Sequence, residues 1–254
     1  MDDGIVQAMA KASSLLISAI YVHLSLSPPN PPVRKEECYC QKENVNTLFE
    51  TFVQYITFCS KTMVSLAVAV ELSVSGLYYL LHSTSLRSYD FLNRMLGFSE
   101  SFTSDTPPPW AYRCSPFILL GAALTVLGAL LRLWCFRTLG PFFTFEITIR
   151  PKHELITTGP YAWVRHPSYA GVYITLTGAS LVFLAPSATW VNAVGLWTNF
   201  GMALGVLWVV KCVFAFRGTC LRLSAEDRVL KETFGPEWEE YTERVPWRLV
   251  PWVF

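Results

Sequence analysis

The stretch FILLGAALTVLGALLRLWC, residues 117–135, carries one charge in nineteen residues. A helix needs about 20 consecutive apolar residues to cross the hydrocarbon of a bilayer, and only helices and closed barrels satisfy their backbone polar groups there. Four further stretches share the pattern, at 5–26, 48–81, 167–184 and 188–216. The chain is 52% apolar and 15% charged, well below the roughly one quarter charged residues of a soluble domain. These runs predict an all-α integral membrane protein of about five transmembrane helices.

Each run carries its own constraint. The first is interrupted by Lys11 and has no small-x-small cleavage site after it, so it is expected to remain as a helix rather than leave as a signal peptide. The second is too long for one perpendicular span and should tilt or project into water, which would accommodate Lys61. Glu71 lies deeper and is costly unless paired or facing a cavity. The fourth and fifth are separated by Ala185-Pro186-Ser187, which predicts an antiparallel hairpin. Gly201 and Gly205 have the small-xxx-small spacing that lets membrane helices approach closely.

Five spans place the termini on opposite sides, so basic residues choose the orientation. Segments 27–47, 136–166 and 217–254 carry thirteen Lys and Arg, against three in segments 1–4, 82–114 and 185–187. The C-terminus and the 136–166 loop should therefore face the cytosol. The 27–47 loop opens on the proline run SPPNPPV, which cannot be helical, and 82–114 should lie along the membrane surface. A net charge of +1 excludes a broad grip on nucleic acid. Seven scattered cysteines and four dispersed histidines supply neither a zinc-ligand spacing nor a disulfide framework, so no metal is expected.

The polar chemistry falls in two strips on the expected cytosolic side. In HELITTGPYAWVRHPSYAG, residues 153–171, Gly159-Pro160 marks a turn and Pro167 suits a first helical position. His166 would then stand at the cap of a helix start, whose N–H groups attract anions. Tyr161, Trp163 and Tyr169 offer aromatic faces for a flat base or a cation; the plainer reading is an interfacial aromatic belt. In the second strip Arg222, Glu226 and Leu230 share one helix face. The arginine precedes the acid, the less favourable order for a helix pair, and a guanidinium can clamp a carboxylate through two parallel hydrogen bonds. Phe234-Gly235-Pro236 should end that helix, Trp238 and Tyr241 open an amphipathic turn, and Val245-Pro246 close it.

Together the strips resemble the isoprenylcysteine carboxyl methyltransferase family, whose hallmark is RHPxYxG, a hydrophobic hairpin, then EExxL. Here the motifs read Arg165-His166-Pro167-Ser168-Tyr169-Ala170-Gly171 and Glu226-Asp227-Arg228-Val229-Leu230, with the acid pair changed to Glu-Asp. The resemblance runs from about residue 142 to 251, and the first three spans match only in hydropathy. It implies S-adenosylmethionine-dependent methylation of the C-terminal carboxylate of a farnesyl- or geranylgeranyl-cysteine in a prenylated protein, in the endoplasmic reticulum membrane, among membrane lipid. Carried over by motif, the cofactor would contact His153, Glu154, Leu155, Ile156, Tyr161, His166, Pro167, Ser168 and Tyr169, and Glu146, where the family often has glutamine. Arg222 and Glu226 would face the substrate as catalytic groups. The implied organisation is an N-terminal transmembrane region at 1–135 and a methyltransferase core at 136–254, whose cytosolic C-terminal helices cap the cofactor site. The same residues leave open a phospholipid amine methyltransferase, with Glu226 as its base, a membrane sterol reductase, and a non-catalytic lipid-binding protein.

Overall fold

The computed structural model describes residues 3–31, 48–82, 108–144, 153–186 and 188–253. Among them every regular element is helical: α1 (Asp3–Ser25), α2 (Leu48–His82), the short α3 (Pro109–Tyr112), α4 (Pro116–Leu139), α5 (Pro167–Phe183), the short α6 (Trp190–Ala193), α7 (Asn199–Phe234) and α8 (Pro236–Arg244). Single 3-10 turns occupy Gly140–Phe142, Gly159–Ala162 and Gly195–Trp197. Glu146 and most of the segments 27–47 and 82–114 lie outside the described residues.

Four helical stretches are long and apolar enough to cross a membrane: Asp3–Ser25, Phe52–Tyr78, Pro109–Phe142 and Asn199–Phe234. The expected fourth span is the shorter α5, of 17 residues, about 26 Å at 1.5 Å per residue against a hydrocarbon core of about 30 Å. The burial pattern is inverted from that of a water-soluble bundle. Leu16, Ile20, Leu66, Leu119, Leu120, Leu127, Val206, Val209 and Val213 are exposed, while Lys11, Glu71, Arg132 and Lys211 are buried. Lipid accepts the first set, and ionisable groups in a span face inward to find partners.

The fifth span departs from expectation. It begins at Asn199 rather than 188, because the intervening chain gives its backbone N–H groups away. Those of Trp190 and Val191 bond the Glu71 carboxylate at 3.0 and 3.2 Å, Thr189 caps α6, and the Thr198 hydroxyl accepts from Gly201 N–H to start α7. α7 then runs unbroken past residue 216 to Phe234. Gly201 and Gly205 do not seat another long helix: a Cβ on Gly201 would strike the Gly195 carbonyl at 1.9 Å, and one on Gly205 would meet Leu196.

The described chain forms two compact units, each built from three segments. The first comprises Met1–Val22, Lys61–Val126 and Leu176–Val209. At its centre Lys11 Nζ donates to Glu71 at 2.5 Å, to the Trp110 carbonyl at 2.5 Å and to Ser75 Oγ at 3.3 Å. Tyr78 and Trp110 pack edge to face beside them, 5.1 Å apart. α4 and α5 close to backbone contact here. A Cβ on Gly121 would stand 2.7 Å from the Gly178 carbonyl oxygen, and one on Gly178 would stand 2.6 Å from that of Gly121, so only glycine allows the approach.

The second unit comprises His23–Ser60, Leu127–Thr175 and Val210–Phe254. α4 and α5 meet here through a second glycine pair. A Cβ on Gly128 would lie 2.8 Å from the Gly171 carbonyl oxygen, and one on Gly171 would lie 2.9 Å from that of Gly128. Ser25 and Thr175 hydroxyls bond at 3.1 Å, and Lys211 donates to Ser60 at 2.7 Å. Both motif strips belong to this unit.

Replacing Glu71 with alanine strands a buried ammonium, a change worth about 3–5 kcal/mol. Glu71→Ala should lower the unfolding midpoint of the detergent-solubilised protein sharply, and Lys11→Met/Glu71→Leu should recover most of the loss. A single variant that melts like the parent would remove the pair from this role.

Candidate active site

The second unit assembles its polar groups from three pieces of chain. The first is the turn before α5. Gly159 takes φ +61° and a Cβ there would come within 3.0 Å of Thr138, so glycine is needed for conformation and for space. The turn places Tyr161 inward, and α5 begins at Pro167 as the sequence predicts. The opening of α5 is more occupied than an open anion site: Tyr169 N–H bonds the His166 carbonyl at 3.2 Å.

The second piece is the polar end of α7. Its apolar stretch ends near Phe216, and the eleven residues to Asp227 carry the helix about 16 Å further. Arg222, Glu226 and Leu230 lie on one helix, as expected. Gly235 at φ +51° ends it after Phe234 and turns the chain into α8. There Trp238 and Tyr241 pack with Val245 against Leu155, Leu230 and Phe234. The third piece is the tail after α8. Arg165 and His166 donate their backbone N–H groups to the carbonyls of Trp247 and Arg248 at 2.9 and 2.8 Å, and the Arg165 guanidinium reaches the Pro246 carbonyl at 3.3 Å.

The two motifs meet side chain to side chain. His166 Nε2 lies 2.7 Å from Asp227 Oδ1, its Nδ1 lies 3.9 Å from Glu226 Oε2, and the ring is buried. Tyr169 donates its hydroxyl to Glu226 Oε2 at 2.7 Å, while the Arg222 guanidinium carbon stands 6.0 Å from the Tyr169 ring centre. Arg222 is buried and the Glu226 side chain is 32% exposed, so the acid is the more open of the two. The remaining Asp227 oxygen faces Arg248 Nε at 3.1 Å and Arg165 at 3.6 Å. Burial alone would lift the Asp227 carboxyl, but the His166 hydrogen bond and the charges of His166, Arg165 and Arg248 outweigh it and hold the group below its usual range.

The other cofactor candidates are placed around this centre. The His153 ring lies tilted against both Phe142 and Phe234, with ring centres at 4.7 and 5.9 Å. Glu154 is exposed, Ile156 is half-buried, and Leu155 belongs to the α8 cluster. Tyr161 is buried, its carbonyl accepts from Tyr241 at 2.8 Å, and burial raises its phenol well above the usual value. Trp163 is 69% exposed. Pro167 is buried, and Ser168 turns to α4, where Arg132 donates to its carbonyl and hydroxyl at 3.1 and 3.0 Å.

Sequence reasoning passed over the residues that brace the site. Asp227 registered only as a mild change in the motif, yet it gathers His166, Arg165 and Arg248. Arg132 registered only as the charge ending a span, yet it also donates to the Ser25 carbonyl at 2.5 Å and lies 5.0 and 5.9 Å from the Phe136 and Phe143 rings, tying α1, α4 and the first turn of α5 together. A lone arginine in an otherwise apolar run was the available signal.

Residues 120–203 match the family model described as isoprenylcysteine carboxyl methyltransferase. The match takes in most of α4, where sequence reading found a likeness in hydropathy alone, and stops before the second motif. The chain is 32% identical over 128 residues to protein-S-isoprenylcysteine O-methyltransferase B of Arabidopsis thaliana, covering 50% of this chain and 55% of the relative. It is 29% identical over 129 residues to the protein-S-isoprenylcysteine O-methyltransferase of Saccharomyces cerevisiae, covering 50% and 46%, and 29% identical over 128 residues to that of Mus musculus, covering 50% and 38%. The chain spans about half the length of the curated relatives it matches.

If Asp227 fastens the tail, Asp227→Ala should speed tryptic cleavage after Arg248 several-fold in the folded protein, and Asp227→Asn, which keeps the contact with His166, should do so less. Equal cleavage rates in all three proteins would refute the tether.

Proposed function

We propose that the chain, whose residues 120–203 match the model of the isoprenylcysteine carboxyl methyltransferase family, is a methyltransferase of that kind, which methylates the C-terminal carboxylate of a prenylated cysteine, using S-adenosylmethionine, in the endoplasmic reticulum membrane. The observation that carries this reading is a buried guanidinium, Arg222, set against Tyr169 and one helical turn from the Glu226 carboxylate, where α7 leaves its apolar stretch.

The donor set fits such a methyl donor. Glu226 and the Tyr169 ring suit a positively charged sulfur, and the aromatic flank of His153, Phe142 and Phe234 suits a flat base. The proposed contacts are Glu146, His153, Glu154, Leu155, Ile156, Tyr161, His166, Pro167, Ser168 and Tyr169, within a core at 136–254 whose C-terminus faces the cytosol, anchored by 1–135. When bound, the group supplies an activated methyl on a sulfonium. A terminal carboxylate has a pKa of about 3.5, so the acceptor is already ionised and no side chain has to remove a proton. Arg222 holds one carboxylate oxygen and leaves the other directed at the methyl group. Tyr169, fixed by Glu226, limits where the guanidinium can sit. Positioning of this kind can supply about 7–11 kcal/mol. The prenyl chain adds about 0.8 kcal/mol per CH₂ withdrawn from water and reaches the site from the lipid.

Membranes bearing the protein, given labelled S-adenosylmethionine with a farnesylated cysteine analogue or with phosphatidylethanolamine, should form base-labile methyl ester on the first. Label in the lipid amine alone would refute the reading in favour of an amine methyltransferase. Arg222→Ala should lower kcat/KM for the prenylcysteine by about 30- to 1000-fold, equivalent to roughly 2–4 kcal/mol.

A further inference from the structure

We propose that Tyr173 and Thr219 determine how the site receives the prenyl chain, the specificity-determining contact for the lipid half of the substrate; the proposal rests on Arg222 as the carboxylate's partner.

The inference comes from a ladder of contacts between α5 and α7. At the start of α5 the residues step 166, 169, 173, with His166 just before the helix, and on α7 226, 222, 219 and 216 share one face with Asp227 beside it. The rungs pair in that order. His166 meets Asp227 at 2.7 Å, Tyr169 meets Glu226 at 2.7 Å and lies under Arg222, and Tyr173 Oη meets Thr219 Oγ1 at 2.6 Å. The apolar stretch of α7 precedes Arg222, so the third rung lies on the lipid side of the arginine by three residues, about 4.5 Å along the helix.

A prenylcysteine has three bonds between its carboxyl carbon and its sulfur, a reach of roughly 4 Å at about 1.5 Å per bond. A carboxylate held by Arg222 therefore delivers the thioether and the first isoprene unit to the third rung. The groups there suit them. The Thr219 hydroxyl lies within reach of the Ala215 and Phe216 carbonyls at 2.9 and 3.0 Å and the Tyr173 hydroxyl within reach of the Phe216 carbonyl at 3.2 Å, so both hydroxyls are satisfied within the protein. What remains is apolar and polarisable: the Tyr173 ring edge to face with Phe216 at 4.8 Å and the exposed Cys220, its sulfur 3.3 Å from the Tyr173 hydroxyl. Sulfur against an aromatic ring is a favourable contact. The Tyr173–Thr219 bond also fixes the spacing of α5 and α7 at this level, so the chain must run across the ring rather than between the helices.

The test uses full-length protein in membranes and N-acetylcysteine carrying ten-, fifteen- or twenty-carbon prenyl groups. Tyr173→Leu removes the ring; it should raise KM for the prenylcysteines at least fivefold and change their ranking by length. Its kcat should stay within twofold and KM for S-adenosylmethionine should not move. Tyr173→Phe keeps the ring and should keep the parent ranking. Thr219→Leu, which crowds the rung from the other helix, should raise KM most for the longest chain, and it carries the test if Tyr173→Leu does not fold. Folded variants that keep the parent KM ratios would overturn the proposal. Parent membranes that esterify none of the three compounds would overturn the methyltransferase reading and this proposal with it, a result distinct from unchanged ratios.

Discussion

Sixty-one residues of chain separate His166 from Asp227, yet their side chains meet at 2.7 Å. Closing a loop of that length costs about 4 kcal/mol of chain entropy by the logarithmic rule, while one hydrogen bond to a charged group returns about 1.5–3 kcal/mol. The bond cannot hold the motifs together alone. It holds because α5 and α7 share the cost over a series of contacts, Tyr169 to Glu226 and Tyr173 to Thr219 among them, and because the tail adds Arg248 on the other Asp227 oxygen. Cooperation of this sort explains why the site is made from the second acid of the motif as well as the first. Glu226 stays partly open toward a ligand, and Asp227 is consumed in holding the histidine and the tail.

The same principle, satisfied inside and apolar outside, governs the spans. A lone charge removed from water costs several kcal/mol, and a pair compensates only when the remaining donors and acceptors are also met. Lys11 and Glu71 meet that condition fully. The ammonium has three acceptors, and the carboxylate takes Lys11, Ser75 and two backbone N–H groups. The consequence is architectural. By drawing in the N–H groups of Trp190 and Val191, Glu71 stabilises a turn where continuous helix was expected, and α7 starts eleven residues late. Arg132 acts comparably in the other unit, where its contacts with Ser25 and Ser168 brace the helix start that follows His166.

Much of this was legible in the sequence, and the pattern of what was not is instructive. The apolar runs located α1, α2, α4 and α5 to within a few residues, since hydrocarbon length and hydropathy set them directly. Pro167 and Gly235 marked a helix start and a helix end because each acts through its own backbone geometry. The glycine contacts were misread: GMALG drew attention by its spacing of four, whereas the pairs that bring α4 and α5 together are Gly121 with Gly178 and Gly128 with Gly171. Each helix carries its two glycines seven apart, a spacing that becomes meaningful only when the two helices are laid against each other. Asp227, Arg248 and Arg132 were missed for the same reason. Their function lies in partners distant along the chain, which neither propensity nor local spacing encodes.

The sign of one charge bears most on which nucleophile the site favours. At about 4 Å and an effective dielectric near 20, two unit charges interact by about 4 kcal/mol. Arg222 therefore attracts a carboxylate by roughly that amount and repels an ammonium by as much, a separation that far exceeds what packing differences around the headgroup could offset. An amine acceptor would also have to surrender a proton first, and Glu226, the acid nearest to hand, already accepts the Tyr169 hydroxyl at 2.7 Å. A carboxylate makes neither demand. It arrives ionised, finds a cation that can hold one of its oxygens by a charge-assisted hydrogen bond, and meets that cation where the helix passes from lipid to water, which is where a molecule with an acidic end and a hydrocarbon tail comes to rest.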